Sequence, residues 1–143
     1  MKSFQFRLDS VLRLRDSQLK QAEETLRKAA ARRDVIQMEL QAMASESETL
    51  RRTICCSTSL LGSDLQWTAS YAKSLAIHRQ RLSEQLRKAV DDLAKTRDEY
   101  LLAKTRTDLL CRLRAKRLAE WKVAEALHWE AVASESFLAV RHN

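Results

Sequence analysis

The chain has 143 residues with a single glycine, Gly62, and no proline. That composition excludes a compact β or α/β domain, which needs turn residues roughly every 8–12 positions. Apolar residues reach 45% but aromatics only 6%, and charged residues make up 31%, the balance of long helices with a narrow apolar seam rather than a thick core. The net charge is +7, and it is concentrated. Residues 1–33 carry nine basic and four acidic side chains, and residues 104–122 carry seven and two. The stretch between them is nearly neutral, so two distant cationic blocks point to an acidic partner.

The opening residues hold no continuous apolar run and are not expected to act as a secretory signal, and no segment approaches the ~18 apolar residues of a membrane span. From Leu8, steps alternating four and three fall on Leu8, Leu12, Arg15, Leu19, Ala22, Leu26, Ala29, Arg33, Ile36, Leu40, Met43, Ser47, Leu50 and Ile54. Eleven of these fourteen are apolar, and a spacing that averages about 3.5 is a left-handed coiled-coil seam. The first helix is expected over about residues 4–56, roughly 75 Å long at ~1.5 Å per residue. Arg15, Arg33 and Ser47 interrupt the seam, either to fix register or to meet a further surface, and Arg15 is the better functional candidate because it lies in the basic block.

Residues 57–63 hold hydroxyls and Gly62. They are expected to form the turn, with Gly62 free to take a positive φ and Ser63 or Asp64 capping the second helix. That helix, expected over about 64–140, resumes the spacing at Leu65, Thr68, Ala72, Leu75, Arg79, Leu82, Leu86, Ala89, Leu93, Thr96, Tyr100 and Ala103. Beyond Thr107 the better apolar row is Leu102, Leu109, Leu113, Val123 and Leu127, and the seam is expected to slip where helix one ends. The fold class is therefore an all-α, long antiparallel two-helix coiled-coil hairpin with the second helix longer, one domain over 1–143. Such folding brings the two basic blocks together at its open end.

Chemistry-bearing motifs are missing: there is no phosphate loop, nucleophile elbow or zincin spacing, and His78, His128 and His142 are dispersed. An enzyme is not expected, nor is a cofactor or metal. Three cysteines, Cys55, Cys56 and Cys111, fit a reducing compartment and no disulfide framework. Trp67, Tyr71, Leu75 and His78 follow at steps of four, four and three and share one helix face. They either broaden the core near the turn or anchor a protein partner. Trp121 and Trp129 share a face on a stretch expected to lack an intramolecular partner.

Phe4-Gln5-Phe6-Arg7-Leu8, then Val11-Leu12-Arg13-Leu14-Arg15, followed by Ala22 and Leu26, resembles the N-terminal signature of the flagellar FliJ proteins. Leu109 to Trp121, with Leu113-Arg114-Ala115-Lys116-Arg117-Leu118-Ala119-Glu120, is similar to that family's basic second-helix block. The resemblance implies a cytoplasmic, non-enzymatic component of the flagellar type III export apparatus, peripheral to the inner membrane at the flagellar base. In such proteins a stalk-like coiled coil enters the ring of the export ATPase, favours its hexamer and links it to the export gate FlhA. Some members also handle substrate chaperones. By resemblance the ATPase contact falls on Arg7, Arg13, Arg15, Arg114 and Arg117, and the gate contact on Trp67, Tyr71, Leu75 and His78. Leu127-His128-Trp129-Glu130 departs from the family's charged tail. Injectisome stalk proteins of the YscO type share the architecture, and a nucleic-acid-binding coiled coil is the rival reading of the basic blocks.

Overall fold

The computed structural model describes residues 3–56 and 61–141. Two helices account for nearly all of them, α1 over Asp9–Cys56 and the longer α2 over Gly62–Arg141. The described chain forms two compact units, one of residues 1–21 with 101–143 and one of residues 22–100. Within each unit α1 and α2 run antiparallel.

In the unit of residues 22–100, Ile36, Leu82 and Ala89 are buried, with Leu40, Met43 and Leu86 packed against them. These are heptad positions on both helices. Of the fourteen seam positions of helix one, only Leu8 and Ser47 are exposed. On α2 the exposed exceptions are Leu65, Ala72 and Arg79, and Tyr71 sits half-buried where the repeat pointed to Ala72. Arg33 keeps its seam place at a cost: its Nε is buried without a hydrogen-bond partner, although a terminal nitrogen pairs with Asp34 at 2.7 Å. Arg33→Met retains the aliphatic stem and removes the orphan donor, so urea unfolding should show a gain of about 1 kcal/mol.

Three sequence expectations need correction here. First, α1 begins at Asp9 rather than near residue 4, since residues 3–6 are non-helical and 7–8 form a turn. Asp9 opens the helix, its N–H donating to the Phe6 carbonyl at 3.1 Å and its carboxylate pairing with Arg13 at 2.8 Å, a favourable charge at a helix N-terminus. Second, Gly62 is the first residue of α2 and has no positive φ. The Leu61 N–H donates to the Asp64 carboxylate at 3.4 Å and the Asp64 N–H donates to the Leu61 carbonyl at 3.0 Å, so the acidic side chain caps the helix start from inside the first turn without glycine's left-handed conformation. The first four residues of the expected turn, 57–60, lie outside the described residues.

Third, the seam of α2 does not slip to the Leu102 row. In the unit of residues 1–21 and 101–143, the inward line runs through Ala103, Thr107, Leu110, Leu118 and Trp121. Thr107, at 6% exposure, is the most covered of these. Its hydroxyl donates to the Ala103 carbonyl at 3.0 Å and lies 3.3 Å from the Arg15 carbonyl on α1. A threonine thus holds an interior position because its polar atom is satisfied there. Trp121 is not unpartnered either, since the Phe4 ring packs on it with centroids 6.0 Å apart. A non-helical segment spans up to ~3.3 Å per residue against ~1.5 Å in a helix, so residues 3–8 reach further along α2 than another helical turn would. Trp129 remains exposed beside His128.

Candidate functional site

The unit of residues 1–21 and 101–143 contains thirteen basic and seven acidic side chains, whereas the unit of residues 22–100 contains thirteen and twelve. Nearly all of the chain's excess positive charge therefore sits in one folded body. Arg7, Arg13, Arg15, Arg114 and Arg117 all belong to it.

Their surroundings differ. Arg7 lies in the turn before α1 and, with Arg117, Phe4, Leu113 and Trp121, lines an open cleft of about 1080 Å³. The antiparallel packing thus brings the first and last of the five onto one surface. Arg117 also pairs with Glu120 at 2.9 Å, one turn away and largely exposed. Arg13 is engaged by Asp9, and Arg15, half-buried, donates to the Gln18 side chain at 2.9 Å. Arg114 is exposed and has no ion pair among the described residues. Exposed i,i+3 and i,i+4 pairs contribute only a few tenths of a kcal/mol, so Arg13 and Arg117 remain available to an external acid.

The aromatic face lies in the other unit. Trp67 is 65% exposed and stacks on Tyr71 with centroids 5.5 Å apart and planes 7° from parallel. Trp67 therefore does not broaden the core. Tyr71 is half-buried and its hydroxyl donates to Glu46 of α1, which fixes the ring on which Trp67 rests. Leu75 is half-buried and lines a depression with Met43 and Ala72. His78 is exposed and borders a separate depression with Ile77 and Arg81. Trp67, Tyr71 and Leu75 thus form a graded edge from solvent to seam, with His78 beside it.

The hydrogen bond to Glu46 holds the Tyr71 hydroxyl above the ordinary tyrosine range, helped by partial burial and the carboxylate charge. Because the folded value is the higher one, this link stabilises the folded state fully below about pH 10 and is lost as pH rises through the raised value. Ultraviolet titration should show one tyrosine ionising late, and Glu46→Gln should bring it back toward the ordinary range. Identical curves for the two proteins would refute the link.

Sequence reasoning missed Glu46, Thr107 and the packing of Phe4 on Trp121. Among the described residues no group of three or more His, Cys, Asp or Glu is placed to hold a metal ion. Cys55, Cys56 and Cys111 are free and exposed.

No curated protein and no solved structure gives a significant match to the chain. A family model does: that of the flagellar FliJ protein matches residues 4–128, a span that includes the Phe4 segment, the aromatic face of Trp67 and Tyr71 and the basic block of α2. The chain therefore belongs to the FliJ family and is a non-catalytic component of the flagellar export apparatus.

Proposed function

We propose that this protein is the stalk of the export apparatus, inserting its cationic unit into the export ATPase ring and promoting the ring's hexamer and turnover. The observation that carries this reading is the segregation of charge into the one unit built from both ends of the chain. A ring lined with carboxylates would draw such a body in and hold it. Arg7, Arg13, Arg15, Arg114 and Arg117 make the contact in this reading. The exposed Trp67 on its anchored Tyr71, with Leu75 and His78, forms the contact with the export gate FlhA, as rigid aromatic anchors do at interfaces. Among the described residues no helix is long and apolar enough to cross a membrane; in this reading the protein is held at the cytoplasmic face of the inner membrane through these partners.

The gate contact is tested by pull-down of the soluble part of the cognate FlhA. Trp67→Ala should weaken it by about tenfold or more, the effect of truncating an aromatic anchor, and leave ATPase stimulation intact. Unchanged gate binding would refute the assignment. A gel shift at low and moderate salt separates the nucleic-acid reading, for which affinity falls steeply with salt.

A further inference from the structure

The apolar row that does not enter the seam has a spacing of its own. Leu102, Arg106, Leu109, Leu113, Lys116, Glu120, Val123, Leu127, Glu130 and Ser134 follow at steps of four and three without exception. Leu102, Leu109, Val123 and Leu127 are 58–62% exposed and Leu113 is 36% exposed. The row lies wholly within the unit of residues 1–21 and 101–143, on the flank of α2 roughly a quarter to a third of a turn around from the inward line of Thr107, Leu110 and Trp121, and its Leu113 also borders the cleft of Arg7, Arg117 and Trp121. A strict 3.5-residue repeat favours a helical partner over a lipid surface. The charges sit within the row, whereas an interfacial helix keeps them on the opposite face.

The row also reads the same from both ends. Taken backward from Ser134, the steps are again four, three, four, so an antiparallel copy meets it layer for layer. The facing pairs are Leu102 with Ser134, Arg106 with Glu130, Leu109 with Leu127, Leu113 with Val123, and Lys116 with Glu120. Every charge meets its opposite and every inner apolar residue meets another. A parallel, in-register pair would instead set Arg106 on Arg106 and Lys116 on Lys116. Arg106, Lys116 and Glu130 have no ion pair among the described residues, and Glu120 is held only by the exposed Arg117. The row is charge-balanced although the surrounding block is strongly basic.

We propose that this face is a self-association surface, on which two copies pair antiparallel about a twofold axis near residue 118. Such an interface is isologous and closes at two. It stands apart from the ring reading, because it needs neither the ATPase nor FlhA. Sedimentation equilibrium of the full chain with reductant, from 1 to 200 µM, is expected to show a monomer–dimer equilibrium with a dissociation constant on the order of 10 µM, modest because five apolar positions are shared with five polar ones. Leu109→Asp with Leu127→Asp should leave a monomer at every concentration while circular dichroism keeps the helical content. Lys116→Glu alone sets carboxylates against each other and should weaken the dimer about tenfold. K116E/E120K, which exchanges the two charges, should restore it to within about threefold. A monomer at 200 µM overturns the proposal, as does a dimer indifferent to Lys116→Glu or not rescued by the exchange.

Discussion

Reversing Arg15 and Arg117 together to glutamate is expected to abolish stimulation of the export ATPase. The unit that holds both carries thirteen basic and seven acidic side chains. Each reversal moves its net charge by two, so the excess falls from six to two. The two residues come from different helices, and Arg117 lines the same cleft as Arg7. Their reversal thus changes both strands of the proposed contact. Like charges brought together at a contact cost several kcal/mol, corresponding to a rise of at least about 100-fold in the half-maximal concentration, beyond the range of an ordinary titration. The fold should survive. Arg117 loses one exposed pair with Glu120, worth a few tenths of a kcal/mol. Arg15 loses a side-chain bond to Gln18 but keeps the backbone carbonyl beside the Thr107 hydroxyl. Unaltered helical content with no stimulation is the expected pair of results; full stimulation by the double variant would remove these residues from the contact.

Leu82→Ala should destabilise the protein by about 2–4 kcal/mol in urea unfolding, against no more than about 0.5 kcal/mol for Leu102→Ala. Both substitutions delete the same atoms from the same helix. Leu82 is 4% exposed in the cluster with Ile36 and Ala89, whereas Leu102 is 58% exposed. The first loses its burial and leaves a void between two helices that have no third layer to collapse onto it. The second loses little beyond helix propensity. Measurement at low protein concentration keeps self-association out of the comparison. Ile36→Ala with Leu82→Ala should cost less than the sum of the two, because the residues share one cluster. Equal costs at 82 and 102 would mean that the helices pack in another register.

The heptad arithmetic made both helices, their order and most of the seam legible. Local spacing is the quantity that decides which residues of a helix can share a face, and Ile36, Leu82 and Ala89 fell where it placed them. The arithmetic failed beyond Thr107, where it gave more weight to leucine than to register. The buried line keeps its phase through a threonine whose hydroxyl is satisfied by carbonyls, and the leucines lie outside. The start of α1 was misplaced because Phe4 is committed to Trp121, more than a hundred residues away. Nothing local records such a contact. Glu46 was equally invisible, since its bond to Tyr71 bridges the two helices. For the candidate site, the basic blocks and the aromatic spacing could be read directly. The exposure of Trp67 and the pairing of Arg7 with Arg117 on one cleft needed the fold.

Turnover of the cognate export ATPase, titrated with the unmodified protein, is the decisive test of the stalk reading. A saturable rise in turnover is expected, accompanied by a larger hexamer fraction. A flat titration at concentrations well above those of the ATPase would contradict it.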